Sequence, residues 1–178
     1  MKTLLCMMSK FGLFFAVAFL AFQIAPAAAE DSAGSSTAMI GTERKIAFSD
    51  VYAFRAQDRD DKKKQVTVVI LSDSPLDKKA MTAALKKERD ASAAMRPKNK
   101  VYAHFWIEQN GKIGHFGVFI GGANQCLGRD VKSELKVNTA KRVEGRVSDD
   151  DKRDTHNCKI DLRFAADLAD VGPPVENN

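Results

Sequence analysis

The chain has 178 residues, of which 44% are hydrophobic, and 28 Lys+Arg against 23 Asp+Glu give a net charge of +5. That length suits one ordinary domain with a real core. The basicity is too mild to imply a polyanion partner, and nucleic acid is not expected as one.

The first segment reads MKTLLCMMSKFGLFFAVAFLAFQIAPAAA. Lys2 and Lys10 are its only charges, Phe11 to Ala25 is apolar apart from Gly12 and Gln23, and Ala27-Ala28-Ala29 supplies small residues for a peptidase pocket. This pattern predicts a secretory signal peptide over 1–29, cleaved before Glu30, and a periplasmic or secreted product. The apolar run is shorter than the roughly 20 residues that span a bilayer. No transmembrane span is therefore expected after cleavage. Cys6 leaves with the leader. The 149 residues that remain lose two lysines and no acid, so their net charge falls from +5 to +3.

Two cysteines remain, Cys126 and Cys158. An isolated pair in an oxidising compartment is expected to form a disulfide. The alternatives are two free thiols, or a metal site that also uses His156.

Residues 30–42 (EDSAGSSTAMIGT) are small and polar and are expected to form a flexible leader of the mature protein. Residues 43–170 are then a single β-rich domain, and 171–178 (VGPPVENN) a loose tail. Ile46 to Ala56 predicts the first strand, with Ile46, Phe48, Tyr52, Phe54 and Ala56 on one face. Asp50 falls on that same face and requires a bulge or a partner. Val66 to Leu71 is apolar on both faces, as in a strand covered on both sides. Ser74-Pro75-Leu76-Asp77 predicts a helix start, with Ser74 as cap and Asp77 completing a capping box. The helix is expected over about residues 75–95, stopping before Pro97.

Val101 to Glu108 and Lys112 to Ile120 predict strands joined by a type I′ turn at Asn110-Gly111. Val131 to Val137, Val143 to Val147 and Cys158 to Leu168 alternate apolar and polar residues. The total is about seven strands and one helix. The expected fold is mainly β, with an α+β reading open: an antiparallel β-sandwich carrying one helix. A curled sheet packed on the helix is the alternative.

A two-residue turn makes paired residue numbers in the hairpin sum to 221. Phe105 then faces Phe116 and Ala103 faces Val118 on the core side. Ile107 faces Gly114 and Glu108 faces Ile113. On the other side Trp106 faces His115 and Tyr102 faces Phe119, with His104 and His115 diagonal around Trp106. Diagonal residues lie roughly 7–8 Å apart. The pattern predicts an exposed aromatic patch of Tyr102, Trp106 and Phe119. Two imidazoles and a carboxylate, Glu108, also raise zinc or copper binding by His104 and His115.

Lys78, Lys79, Lys86, Lys87, Arg89, Arg96, Lys98 and Lys100 form a basic stretch around the helix. Asp149-Asp150-Asp151 with Asp154 lacks the spaced pattern that wraps calcium and reads as a solvated loop. The sequence has no G-x-S-x-G, H-E-x-x-H, C-x-x-C or phosphate-binding glycine loop, so no catalytic residue and no cofactor is assigned.

The blocks VVILSDSPLD (Val68 to Asp77) and RVEGRV followed by KIDLRFAADL (Arg142 to Leu168) resemble segments of exported bacterial proteins of uncharacterised function. There a strand leads into a Ser-Asp-x-Pro-Leu-Asp helix start, and late strands close the domain. The resemblance implies a fold and no activity. The expectation is an exported, non-enzymatic binding or accessory module of the cell envelope, whose partner is a protein or an anionic envelope component. Metal binding by His104 and His115 is the alternative.

Overall fold

The doubly apolar stretch at Val66 marks the centre of the molecule. In the computed structural model, which describes residues 32–41, 44–90, 101–127, 131–149 and 158–176, strand β4 (Gln65–Ser72) is at most 1% exposed from Val66 to Ser72. Its two faces serve two cores, which is why it lacks the alternation of a half-wet strand.

Before it come β1 (Thr37–Ile40), β2 (Arg44–Ala47) and β3 (Asp50–Gln57); after it come α1 (Lys78–Glu88), β5 (Val101–Ile107), β6 (Ile113–Ile120), β7 (Ala123–Leu127), β8 (Val131–Asn138), β9 (Arg142–Asp149) and β10 (Cys158–Ala169). The pairing order is β2-β1-β10-β3-β4-β5-β6-β7, with β9 also on β10 and β8 on β9. Among the described residues the fold is mainly β with one helix, as expected. All ten strands join one mixed sheet, so the hydrogen bonds do not describe the two separate sheets of a sandwich.

Strand β10 makes the junction. Its 12 residues reach about 40 Å. Residues Cys158 to Asp161 pair antiparallel with β1, Asp161 to Asp167 with β9, and Leu168 and Ala169 parallel with β3.

One core gathers Leu71, Ala103, Phe105 and Val118 with Val147, Leu162 and Phe164 from the far end of the sheet. Phe105 and Phe164 meet edge to face at 5.0 Å, so the sheet curls to bring β5 against β10. The expected disulfide is present: Cys126 on β7 and Cys158 at the start of β10 have Cα atoms 6.0 Å apart. The second core holds Phe54, Val68, Ile70, Tyr102 and Trp106 on the other face of β3–β5. It includes Leu76, Leu85 of α1, and Val171 and Val175 from the C-terminal segment.

Five expectations are corrected. First, the strand predicted over Ile46 to Ala56 breaks at Ser49, and the faces switch there. Ile46 and Phe48 enter the first core, while Tyr52, Phe54 and Ala56 enter the second. Asp50 is the partnered residue its position demanded. Its carboxylate accepts from Leu76 N–H at 2.7 Å and pairs with Lys78 Nζ at 3.1 Å.

Second, that tether holds Leu76 in the second core and delays the helix. The cap is Asp77, accepting from Ala80 N–H at 2.9 Å, rather than Ser74. Third, the helix ends at Glu88, because Arg89 turns left-handed (φ 58°) and its N–H bonds Leu85 O. The expected continuation into residues 91–95 lies outside the described residues.

Fourth, the C-terminal segment is a strap rather than a loose tail. Arg89 donates to the carbonyls of Val171 at 2.8 Å and Pro174 at 2.9 Å, and also to Pro173. Gln57 N–H bonds Val175 O at 2.8 Å. Burial of Val171 and Val175 repays the ordering. Fifth, the leader is part of the sheet as far as it is described. Ser32 exchanges backbone bonds of 2.8 and 2.9 Å with Ala165, and Ala33 and Ser36 are each 1% exposed. Ser36 Oγ meets Ala33 O and Arg163 O, which satisfies a buried hydroxyl.

Ten strands replace seven through β1, the split into β2 and β3, and β7 after the Gly121-Gly122 turn.

Candidate functional site

The β5–β6 hairpin follows the expected register from Val101↔Ile120 to Trp106↔His115. The turn differs. Gly111 N–H bonds Glu108 O and Glu108 N–H bonds Lys112 O, both at 2.9 Å. Gly111 alone of the turn has positive φ, at 83°. This is a three-residue loop, Gln109–Gly111, with a left-handed glycine last. Asn110 does not adopt the type I′ geometry because its side chain is engaged. Its Oδ1 accepts from Lys112 N–H at 2.8 Å and its Nδ2 donates to Glu108 at 3.0 Å. Ile107 therefore pairs with Ile113 rather than Gly114, and Glu108 sits in the turn rather than facing Ile113. Gly114 bulges out as the extra residue and restores the register beyond it.

The histidines are diagonal neighbours as expected, their rings 5.2 Å apart. Trp106 lies 4.7 Å from His115, and Tyr102 stacks on Phe119 at 4.9 Å and 5°. The strip is continuous, but it is not the exposed patch predicted. Tyr102 is 2%, His104 7% and Trp106 9% exposed. Phe119 and His115 are half-buried. Strand β5 is central, so its second face packs into the second core instead of meeting water. The Trp106 indole N–H has no hydrogen-bond partner among the described residues. Among those residues no group of three His, Cys, Asp or Glu side chains is placed to hold a metal. Glu108 is drawn to Asn110.

The basic stretch divides. Lys78 is tied to Asp50 and Arg89 to the strap. Lys79, Lys86 and Lys87 are exposed. Arg96, Lys98 and Lys100 lie outside the described residues, as do Asp150, Asp151 and Asp154.

The other half of the sheet carries a feature that motif reading missed. Strand β10 turns Asp161, Arg163, Ala165 and Asp167 outward. Ala165 is the one small residue in that row. The space above it is a trough of about 430 Å³, walled by Glu134, Lys136, Glu144, Arg146 and Arg163 and closed by Ser32 and Gly34. Arg146 grips Asp161 through two bonds of 2.7 and 3.0 Å. That grip holds the Asp161 carboxyl below the usual carboxylate range and raises the guanidinium.

Arg163 stands directly across from Arg146, an unfavourable like-charge pairing. It has only a 3.9 Å approach to the same Asp161, and its side chain is 54% exposed. Lys136 pairs with Glu144 at 3.8 Å. Arg163 thus shares its carboxylate partner with Arg146. The chain matches no family model, no curated protein and no solved structure. The walls of the trough are strands that carry charges of both signs. The signal in the sequence was Ala165 interrupting the polar row of a half-wet strand.

Proposed function

We propose that the protein is an exported, non-enzymatic binding or accessory module of the bacterial cell envelope, and that it meets an anionic envelope component at the trough over Ala165. The observation that carries the reading is the Arg163 guanidinium, exposed beside a carboxylate that Arg146 already occupies. The signal-like residues 1–29 and the Cys126–Cys158 disulfide support export to an oxidising compartment. Binding is salt-dependent, because the groups that make it are exposed.

The test is capture from a solubilised envelope by the tagged mature protein, wild type against Arg163→Glu. The wild type retains a component that the charge reversal loses and that salt elutes. An identical retained set for both proteins sinks the reading, and a retained protein rather than an anionic lipid or glycan redirects it. Mass spectrometry of the exported chain checks the N-terminus at Glu30.

A second reading, zinc or copper binding by His104 and His115, is favoured by their 5.2 Å ring separation. Calorimetric titration decides it: no heat with either metal ends that reading.

A further inference from the structure

A second polar hollow lies where the β3–β4 strands, the β5–β6 turn and the β8–β9 turn converge. It is about 290 Å³ and is lined by Arg55, Gln65, Gln109, Asn138 and Ala140, with no acidic side chain among them. Arg55 is half-buried on β3. Its guanidinium donates to two neutral acceptors, Thr67 Oγ1 at 2.6 Å and Thr139 O at 2.8 Å. No carboxylate among the described residues lies within ion-pair distance of it.

A guanidinium has five N–H donors, so three remain beyond those two bonds. Burial withdraws water from the charge and pulls its pKa down, with no acid to offset the effect. A half-buried charge without a counter-ion keeps part of the cost of a buried one. The Asn138 side chain carries the opposite deficit, a buried Oδ1 acceptor with no hydrogen-bond partner among the described residues. With no hydrogen bond fixing that oxygen, the carboxamide can turn over and present Nδ2–H to an anion.

We propose that this hollow binds a single oxyanion group, a carboxylate, sulfate or phosphate, with Arg55 as its counter-ion and the amides of Gln65, Gln109 and Asn138 as its polar wall. The geometry limits the occupant. The hollow has room for such a group. A neighbouring cleft, which shares Gln65 and Gln109, carries Asp58, Asp60, Asp61 and Glu108. Those carboxylates repel an extended polyanion while leaving the hollow open to a compact one. The site is separate from the trough over Ala165 and stands without it.

The test is titration of the mature protein with inorganic phosphate and, separately, sulfate, against a sodium chloride control. The readouts are the NMR signals of the Arg55 Nε–H and the Asn138 carboxamide. Both signals shift and saturate with phosphate or sulfate and not with chloride. Arg55→Gln weakens the binding by about tenfold or more, as expected for removing one partner of a desolvated charge pair. Should Arg55→Gln fail to fold, Asn138→Asp decides, because it places a carboxylate in the wall and abolishes binding while the unfolding midpoint stays close to wild type. Shifts that never saturate in the wild type, or an affinity unchanged in Asn138→Asp, overturn the proposal.

Discussion

Strands β4 and β10 divide the molecule into two regimes. From Val66 to Ser72, β4 is buried at every position on both faces. From Cys158 to Ala166, β10 alternates buried and open residues, and its open face bears Asp161, Arg163 and Asp167. The same backbone pairing serves opposite ends. The β3–β6 region holds two cores, with α1 and the strap closing the second. The β8–β10 region lends one face to the first core and keeps the other for charge. The strand buried on both faces lies in the first region, and Arg163, only loosely paired with Asp161, lies in the second. A cavity cut under β4 should cost far more than any charge removed from β10.

The largest effect is expected at Leu85, the buried residue of α1 at 0% exposure. Leu85→Ala should lower unfolding free energy by about 2–5 kcal/mol, the range for a fully buried leucine, in urea denaturation. Next is the disulfide, which spans a separation of 32 residues. Replacing both cysteines by serine should cost roughly 3–4 kcal/mol on the chain-entropy model, read as a shift in urea midpoint matched by reducing the wild type. A smaller loss is expected at the strap. Arg89→Gln removes charged donors to Val171, Pro173 and Pro174, and about 1.5–3 kcal/mol is typical of hydrogen bonds to charged groups. Hydrogen exchange at the Gln57 amide, bonded to Val175 O, should accelerate selectively.

The smallest effect belongs to β10. Asp161→Asn should cost no more than about 1 kcal/mol at pH 7, as for other surface ion pairs. The sign follows from the depressed carboxyl of Asp161. Its contribution is complete above the pKa of the unfolded chain and disappears as pH falls through the lower folded value. Wild type and variant should therefore converge in acid. If Asp161→Asn cost as much as Leu85→Ala, the division between the two regions would be wrong.

Much of this division is legible in the residues. VTVVIL has no polar face, so β4 had to be covered twice. KIDLRFAADL alternates, so β10 had to face water once. The Phe105–Phe116 and Trp106–His115 pairings were legible from the hairpin, although a bulge at Gly114 rather than the expected two-residue turn sets them, and two cysteines in a chain expected to be exported imply the bond they form. The aromatic strip was misjudged for a tertiary reason. Period-two alternation shows that Tyr102, Trp106 and Phe119 share a face, and only the packing around central β5 shows that this face is interior.

The amino-acid sequence by itself determined strand character, the hairpin partners, the helix and the disulfide, because each depends on neighbours or on a single pair. Tertiary structure decided the rest. Leu76 stays out of the helix because Asp50, 26 residues away, holds its N–H. The apparently loose tail is fixed because Arg89 bonds carbonyls more than 80 residues downstream. The trough and the Arg55 hollow exist because residues remote in sequence leave space between them, and no local pattern encodes an empty volume.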